Sequence, residues 1–467
     1  MAIIKVRSPH FLSVSIANLA SATLDIEIYT GVKTSGFSGT PTYSLSKQII
    51  LNTTQISFEI AELIRDYLDA SFTGDYDASA QNGCKWVRTI LTAKDGNGVQ
   101  LSQATSIDLA FDSYSYFQEN HSFKSLLMTN DEIYTTPLGD FEIPIYTEHN
   151  PTILFLNAAG ATQRTVSYTT STQSNAQIKS VEMFPELCVN GNFTTDTSWT
   201  KETADWTIDN GASFLNSTDL AIDRLFQSSA GLTDGVSLTI RFTVNNFSGT
   251  GSASMRYPFP IPITRNGVYE VTGVGENIER IQFQAQANDL TDPLTFSLDN
   301  VSVKKTVDIS SIRITDDNSI TNLKVTEQCG GKYEPFKVTF NNKFGVLQDL
   351  YFFKKSVEKM TTKRESYKAN TLTSNNTYSI SSHTKRDFNI VANESISLSS
   401  GFVNESFNEV FKQMMLSEKV WITNTTKQVL PINIKTSNIT YKTSTNDKLV
   451  EYTIEFENSY NVLNDIR

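Results

Sequence analysis

Apolar and polar residues alternate in short segments along almost the whole chain, and this pattern limits the folds open to it. The alternation is clearest between residues 188 and 305, where Leu238, Ile240, Phe242 and Val244 are separated by polar residues. Successive side chains of a strand point to opposite faces, so such segments form strands with one buried and one solvated face. Strands of this kind without intervening helices are typical of antiparallel sandwiches, and we predict one of about 120 residues here.

Asn210 and Gly211 indicate a tight hairpin within this region. Apolar residues alternate with polar ones on both sides of the pair, with Trp206 before it and Phe214 after it. Two-residue hairpin loops need positive φ at both central positions, which Asn and Gly tolerate best. The sequence therefore predicts two short antiparallel strands joined by this pair.

Both ends of the region carry motifs. Residues 190–193 read NGNF and are followed by Trp199, while residues 298–303 read LDNVSV. These segments resemble the first and last strands of jelly-roll carbohydrate-binding modules, which are appended to glycan-active and glycan-binding proteins. The resemblance implies a jelly-roll module with a sugar-binding fold over residues 186–306.

Sugar binding by such a module requires aromatic faces that stack on pyranose rings and polar side chains that bond hydroxyl groups. The candidates are a loop-like cluster, a tryptophan and a row of amides on one side of a strand: Arg256, Tyr257, Phe259, Trp206, Gln282, Gln284 and Gln286. Two plainer alternatives stay open, since Trp206 can be a core residue and the glutamine row can be an ordinary solvated face.

Modules that this region resembles often hold a structural calcium ion near their termini, and the resemblance extends that expectation to this chain. Asp299 matches the acidic position before the last strand. Calcium prefers oxygen ligands, so Asp299 is the candidate metal ligand.

The chain has 467 residues, which is enough for about three domains with separate cores. Its 39% of hydrophobic residues is typical of a globular protein, and its many Thr, Ser, Tyr and Phe residues favour strands over helices. We predict a mainly β protein with several antiparallel β-sandwiches and two short helices, in which one sandwich is a jelly-roll insertion.

Residues 1–118 are predicted to form an N-terminal β-sandwich with one helix. Ile60, Leu63, Ile64 and Leu68 recur at helical spacing, so one face of this helix is expected to pack on a sheet.

Residues 119–185 are predicted to form a small β region and a linker. Two short apolar strands are expected at residues 141–146 and 152–156, and a stretch rich in Thr and Ser follows at residues 165–176. Such a polar stretch has few side chains with which to build a core.

Residues 307–467 are predicted to form a C-terminal β-rich domain with one helix. Ser406 and Glu409 have the spacing of a capping box, in which each side chain bonds an amide at the start of a helix. This region and residues 1–185 each lack the signals of a complete sandwich, so we expect them to pack together, with residues 186–306 inserted.

The net charge of −11 is distributed unevenly along the chain. Residues 304–467 hold 22 Lys and Arg against 18 Asp and Glu, a balance of +4, which leaves −15 for residues 1–303. No basic run is interleaved with aromatic residues, which argues against nucleic-acid binding because phosphate neutralisation dominates that affinity. The cations between residues 356 and 390 form either a surface for an anionic partner or a solvated strand and loop.

Motifs with established chemistry are scarce. Cys84, Cys188 and Cys329 are widely spaced and odd in number, which argues against a disulfide framework or a zinc site. The sequence holds no nucleophile elbow, phosphate loop or zinc-protease helix, so we expect no enzyme activity. Residues 1–16 lack the apolar core of a signal peptide, and no run of about 18 apolar residues occurs, so we expect cytoplasmic folding without membrane insertion.

Four segments outside the jelly-roll region carry a second resemblance. They are SYSYFQENHS at 113–122, VTFNNKFGVLQDLYFFKK at 338–355, LSEKVWI at 416–422 and EYTIEFENSYNVLNDIR at 451–467. They are similar to segments of tail or baseplate proteins of phages that infect Bacteroidetes-type bacteria. Distal-tail hub proteins of siphoviruses, which form rings, carry inserted modules. The resemblance implies a virion protein that folds in the host cytoplasm and assembles with other tail proteins.

The first hypothesis is therefore a structural virion protein of a phage tail tip or baseplate. It forms a homo-oligomeric ring, and its inserted module adheres to host surface polysaccharide through many weak contacts acting together. Two alternatives are a polysaccharide-degrading enzyme with an appended binding module and a neck or head structural protein with a decorative module. The enzyme would require two or three clustered acids in a cleft.

Overall fold

The computed structural model describes most of the chain, and strands dominate it. The described residues are 3–50, 54–74, 83–119, 132–135, 145–146, 152–167, 178–179, 186–215, 220–228, 232, 235–275, 280–306, 309–316, 319–327, 333, 335–423, 428–440 and 449–463. Among these residues, 55% are in strands and 5% in helices, with two helices and several antiparallel sheets. The prediction of a mainly β protein built from sandwiches with two short helices is confirmed.

The N-terminal region contains one five-stranded sheet and a smaller two-stranded layer. Its elements are β1 (Ile3–Lys5), β2 (Phe11–Val14), β3 (Ser21–Tyr29), β4 (Tyr43–Gln48), β5 (Ile56–Glu59), α1 (Ala61–Arg65), β6 (Cys84–Lys94) and β7 (Gln100–Phe111). The large sheet has the order β1-β7-β6-β3-β4, with β1 parallel to β7 and the other neighbours antiparallel. β2 and β5 pair separately, and apolar side chains from β5 and α1 share one core with the large sheet.

Helix α1 is shorter than the predicted apolar stripe. It ends at Arg65, after which the amides of Tyr67 and Leu68 bond carbonyls three residues back, at Ile64 and Arg65. Such bonds tighten the chain into turns beyond the last helical residue. Ile64 is buried against the sheet, as the helical spacing predicted.

The segments before the module are short strands. A 3-10 turn at Phe117–Glu119 is followed by β8 (Glu132–Thr135), β9 (Ile145–Tyr146), β10 (Thr152–Leu156), β11 (Thr162–Ser167) and β12 (Ile178–Lys179). The strand predicted at 152–156 coincides with β10. Of the strand predicted at 141–146, only β9 is described, and residues 141–144 lie outside the described part of the chain.

Residues 186–306 contain two five-stranded antiparallel sheets. Their strands are β13 (Thr200–Lys201), β14 (Trp206–Ile208), β15 (Ala212–Leu215), β16 (Asp223–Ser228), β17 (Ser237–Ser248), β18 (Gly251–Tyr257), β19 (Ile261–Ile263), β20 (Gly267–Val274), β21 (Arg280–Ala287) and β22 (Thr295–Lys305). One sheet has the order β13-β16-β21-β18-β19 and the other β14-β15-β22-β17-β20. Apolar side chains from both sheets form a single core, which is the arrangement of a β-sandwich.

The predicted hairpin is present between β14 and β15. Asn210 and Gly211 have φ values of 48° and 141°, and Trp206 faces Phe214 across the pair of strands. Their rings lie 4.9 Å apart, centre to centre, inside the core. Ile208 pairs with Ala212, so the loop holds Asp209, Asn210 and Gly211 instead of the predicted two residues, and the buried aromatic pair belongs to this register.

The two terminal motifs of the module lie side by side. The amide of Val301 donates to the carbonyl of Gly191 at 2.8 Å, and the amide of Leu187 donates to the carbonyl of Val303 at 2.9 Å. A Cβ at position 191 would lie 1.9 Å from the Val301 carbonyl oxygen, so the backbones approach too closely for any residue but glycine. Gly191 thus brings the start and the end of the module together.

Replacement of Gly191 by Ala is expected to lower the free energy of unfolding of the module by about 2 to 4 kcal/mol, because the added methyl must push the β22 backbone away. Scanning calorimetry of the full chain can follow the module's transition. Gly96→Ala is the matched control, since a Cβ there meets nothing within 4 Å. Equal effects of the two substitutions would contradict the close approach.

Strands on the two sides of the module pair with each other. β23 (Ser311–Asp316) and β24 (Ser319–Glu327) follow the module, and together with the earlier strands they form a sheet of order β11-β10-β23-β24-β8. β10 and β23 are antiparallel over five residue pairs, from Thr152 opposite Thr315 to Leu156 opposite Ser311. This sheet combines strands from two of the predicted regions, residues 119–185 and residues 307–467. The sequence did not indicate this pairing, because pairing between distant strands leaves no local signal.

The C-terminal region is a seven-stranded sheet with a helix packed on it. Its elements are β25 (Phe336–Asn341), β26 (Leu347–Phe352), β27 (Val357–Lys368), β28 (Lys385–Asn404), α2 (Phe407–Met415), β29 (Val420–Thr423), β30 (Val429–Ile434) and β31 (Leu449–Asn458). The strand order is β26-β25-β29-β30-β31-β28-β27. The predicted apolar stripe of α2 is buried against this sheet: Phe407, Val410, Phe411 and Met414. Neither helix approaches the length and apolarity of a membrane span, and no such helix occurs among the described residues.

The capping box predicted at the start of α2 is wrong. The side chain of Ser406 makes no capping hydrogen bond. The Glu409 carboxylate instead accepts hydrogen bonds from Tyr116 Oη at 3.0 Å and from Gln413 Nε2 at 2.9 Å. A contact with the N-terminal region has therefore replaced the local bond that the spacing suggested.

A mixed polar and apolar seam joins the N-terminal and C-terminal regions. Asn341 Nδ2 donates to Asp112 Oδ2 at 3.0 Å, and both residues are buried. Val346 belongs to a buried apolar cluster whose other members, which include Trp86 and Phe111, come from the N-terminal sheet. The two regions expected to pack together thus share hydrogen bonds and a core.

The seam gives stability a specific pH dependence through Asp112. Burial raises the pKa of this carboxyl group, although the Arg7 guanidinium opposes the shift. A raised carboxyl pKa favours folding at low pH, and that contribution is lost as the pH rises through the folded-state pKa.

The Asp112→Asn variant, which carries no carboxyl, is therefore expected to gain stability relative to the wild type as the pH rises from about 3 to about 6. Urea unfolding at several pH values measures the difference. The exposed Asp209→Asn variant controls for the change in net charge. A difference between Asp112→Asn and wild type that is constant with pH would contradict the assigned cause.

Candidate functional site

Strand β21 lies in the middle of one module sheet, between β16 and β18. Ile281, Phe283 and Ala285 point into the core, whereas Gln282 and Gln284 lie on the opposite face because side chains alternate along a strand. Gln286 continues the outer row. The three predicted glutamines therefore share the outer face of this sheet, and we call this surface the glutamine face.

Two aromatic residues flank Gln282 on the glutamine face. Phe226 on β16 and Tyr257 on β18 stand directly opposite it in the two neighbouring strands. The guanidinium carbon of Arg280 lies 5.2 Å from the Phe226 ring centre and 5.6 Å from the Tyr257 ring centre. Both rings are half-buried, so each keeps part of its surface exposed beside the arginine. Two aromatic rings and the Arg280 cation therefore lie around the Gln282 amide, with one ring on each of the two strands that neighbour β21.

Gln282 is the most unusual member of this row. Its side chain is only 2% exposed, because the flanking rings and Arg280 crowd it. Its Oε1 atom is buried and has no hydrogen-bond partner among the residues that the structure describes. A buried polar atom without a partner costs about 1 to 3 kcal/mol, which is unexpected on a sheet face where water is close. The arrangement holds a dehydrated acceptor ready for a donor that reaches between the rings.

A second, more polar row lies one step along the glutamine face. Gln284 stands between Arg224 and Ser254, and Arg224 Nη1 donates to both carboxylate oxygens of Glu202 at 2.8 and 2.9 Å. Such a bidentate contact fixes both charged groups in place. Gln284 remains half-buried between them.

The third row is centred on Gln286. Its Nε2 donates to the carbonyl of Leu220 at 2.7 Å, and Ser252 stands opposite it on β18. The amide is therefore already engaged by the chain. Among the predicted glutamines, Gln284 is half-buried and is the more accessible to a ligand, whereas Gln282 is buried and Gln286 bonds Leu220.

Arg256 is held at the edge of the glutamine face by an irregularity in β18. Met255 pairs with Phe283, and Tyr257 pairs with the adjacent Gln282, so Arg256 is the extra residue of a β-bulge. Its guanidinium carbon lies 5.5 Å from the Tyr257 ring centre, and its side chain is exposed. The bulge places two arginines, Arg256 and Arg280, beside the same tyrosine ring.

Two of the predicted aromatic candidates lie elsewhere. Trp206 is 1% exposed and packs against Phe214 and Phe296 in the core, so neither face of its ring is open to a sugar. This is the plainer alternative that the sequence left open. The Phe259 ring lies against Gly273 on the other sheet, where a Cβ would come within 3.1 Å of it. Phe259 therefore packs between the sheets, apart from the row around Gln282.

Asp299 belongs to no cluster of metal-binding side chains among the described residues. Its Oδ1 accepts a hydrogen bond from the backbone amide of Asn300 at 2.7 Å. In the described part of the chain, no group of three His, Cys, Asp or Glu side chains is placed to hold a metal ion. A calcium site at Asp299 stays a prediction.

Sequence reasoning missed Phe226 and Arg280, although a signal for both was present. In β16, Leu225 and Gln227 are buried and Phe226 lies between them, so the alternation assigns Phe226 to the outer face. Arg280 precedes Gln282 by two residues and therefore falls on the same face. A large aromatic residue at an outward position of a strand is the signal that would have found the site.

No family model matches this sequence, and no curated protein matches it either. The case for a function therefore depends on the geometry of the glutamine face and on the resemblances noted above.

Replacement of Gln282 by Leu is expected to leave the free energy of unfolding unchanged or to raise it by about 1 kcal/mol, because the substitution removes an unpartnered buried acceptor. Gln227→Leu is the matched control in the same module. Gln227 bonds the amide and carbonyl of Val189 and the carbonyl of Ser198, so its loss should cost about 1 to 3 kcal/mol. Calorimetry of the two variants measures this contrast, and a large loss from Gln282→Leu would show that its amide has a structural partner.

Proposed function

We propose that this chain is a structural virion protein of a phage tail tip or baseplate whose inserted module adheres to host surface glycan through the glutamine face. In this proposal the N-terminal and C-terminal regions form the body that assembles into a ring with other tail proteins. The module supplies recognition, and no catalytic step is required.

The observation that carries the proposal is the buried acceptor of Gln282 between two half-buried aromatic rings. A pyranose has apolar C–H faces that pack on aromatic rings and hydroxyl groups that donate hydrogen bonds. A sugar ring lying on Tyr257 or Phe226 would place its hydroxyl groups beside Gln282, whose buried Oε1 would become reachable when the Arg280 side chain moves aside. Arg280 and Gln284 then supply donors for the oxygen atoms at the edge of the sugar.

The way in which the module is inserted fits adhesion. Gly191 and Val301 bring its ends together, and β10 pairs with β23 directly across the insertion. A module joined at one point leaves the pairing of the body strands intact. When many copies are displayed on one particle, weak single contacts combine into firm attachment.

Binding to an array of bacterial surface polysaccharides tests this function with the full chain. Tyr257→Leu and Arg280→Gln are each expected to weaken binding about tenfold, which is the loss of one well-placed ring or hydrogen-bonding contact of about 1.4 kcal/mol. Val268→Ser is the control, because Val268 is exposed on β20 of the opposite sheet.

Three outcomes would contradict parts of the proposal. A wild-type chain that binds no polysaccharide would remove the adhesive role. Binding that is unaffected by Tyr257→Leu and Arg280→Gln but lost in Val268→Ser would move the site to the other sheet. Release of reducing ends from a bound polysaccharide would favour the glycan-degrading enzyme instead.

A further inference from the structure

The hairpin of β27 and β28 leaves the C-terminal sheet as an isolated ribbon. β28 pairs with β31 from Ser395 onward, and its earlier residues pair with β27, although the carbonyl of Ala392 also accepts a hydrogen bond from the Val462 amide. Beyond the pair of Lys363 and Val391, the ribbon continues for about 20 Å and ends in the loop of residues 369–384. We call residues 354–394 the arm.

The arm exposes an unusual amount of apolar side chain. Every residue of β27 is exposed. The exposed large apolar residues of the arm are Val357, Met360, Tyr367, Leu372, Tyr378, Ile380, Phe388 and Ile390. Ile380 in the loop is 98% exposed and Tyr378 is 66% exposed. Single exposed apolar residues are ordinary, but eight within one protruding hairpin are typical of a surface that another molecule covers.

The arm also lacks the support that would make it stable alone. A two-stranded hairpin is marginally stable in water unless a further strand or layer packs on it. One aromatic contact joins the strands in the ribbon, between Tyr367 and Phe388 at 5.7 Å. β27 is the last strand of its sheet in the described part of the chain, where no other strand pairs with the amides and carbonyls of its outer edge. Open edges of this kind pair readily with another chain.

The charge of the arm indicates what covers it. The arm holds eight Lys and Arg against four Asp and Glu, a balance of +4. This equals the whole balance of residues 304–467, so the rest of that region is neutral and the rest of the chain carries −15. One ion pair lies within the arm among the described residues, between Arg364 and Asp387. The remaining cations are therefore set on a protrusion of an otherwise acidic protein.

Two explanations of these cations were open from the sequence. Lysines along an edge strand can simply keep it soluble. That explanation does not account for the apolar residues between them, which water does not favour. A partner that is acidic and exposes apolar side chains accounts for both, and the remainder of this chain carries a net charge of −15 and exposes Phe11, Ile50 and Ile320.

We infer that the arm docks on the acidic surface of a second copy of this chain and so joins neighbouring subunits. The inference rests on the assembly part of the proposed function and names the surface responsible for it. Because the arm of one copy meets a different surface of the next, the contact is head-to-tail, and contacts of this kind form a ring when the rotation between subunits closes.

Light scattering of the full chain tests the inference with three variants. The first replaces residues 364–390 by an Asn-Gly turn, which retains the body sheet and removes the free ribbon. The second, Lys363→Glu, Lys368→Glu and Lys385→Glu, inverts the charge of three exposed side chains. The third changes the same lysines to Arg and is the matched control, since it retains every positive charge.

The wild type and the arginine variant are expected to have the mass of an oligomer. This mass is expected to decrease as the salt concentration is raised, because salt screens the attraction between the basic arm and an acidic surface. The shortened variant is expected to have the mass of one chain, and the charge-inverted variant to assemble at least about tenfold more weakly. Circular dichroism of each variant shows whether the body remains folded.

Other outcomes overturn the inference in distinguishable ways. A shortened variant that still assembles would remove the arm from the interface and leave ring formation intact. A wild type that is a single chain at every soluble concentration would overturn both self-assembly and the arm's docking on a second copy. Polysaccharide binding is measured separately, so its presence or absence decides the adhesive role alone.

Discussion

Pairing between β10 and β23 is the interaction on which the arrangement of the chain depends. These strands lie on opposite sides of a module of about 120 residues, yet they are neighbours in one sheet. The pairing is possible only because the module returns the chain to its starting point, where Gly191 lets the backbone contact Val301. The contact that brings the two ends of the module together is therefore also the contact that lets β10 and β23 pair in one sheet.

Local sequence patterns predicted the positions of many strands and helices. Contacts between residues far apart in the sequence determined how these elements pair and which side chains become buried. Alternation and the turn residues located the hairpin at Asn210 and Gly211, although its loop holds three residues instead of the predicted two. The capping box failed because Glu409 bonds Tyr116, a residue from the other end of the chain. On the glutamine face, the alternation of side chains along β21 places the three glutamines on one side of the strand. The burial of Gln282 also depends on Phe226, which lies beside it only because β16 pairs with β21. Strand pairing across long separations has no signature in a single sequence.

The structure separates two kinds of surface. The glutamine face is a compact set of rings, amides and guanidinium groups on a well-packed sandwich, which suits recognition of a small rigid group. The arm is long, apolar and basic, which suits contact with a broad macromolecular surface. Because the two are built on different sheets, changes in ligand preference need not alter assembly, and the converse also holds.

The seam between the two ends of the chain has a consequence for biosynthesis. Val346 covers the apolar cluster of Trp86 and Phe111, but the ribosome adds it more than 200 residues after Phe111. Ribosomes add about 5 to 20 residues per second, so roughly 10 to 50 seconds pass between the synthesis of Phe111 and that of Val346. During that interval the nascent chain exposes the aromatic surface that it later buries. Exposed apolar surface favours aggregation, so nascent chains that end before Val346 are expected to aggregate more readily than chains that contain it.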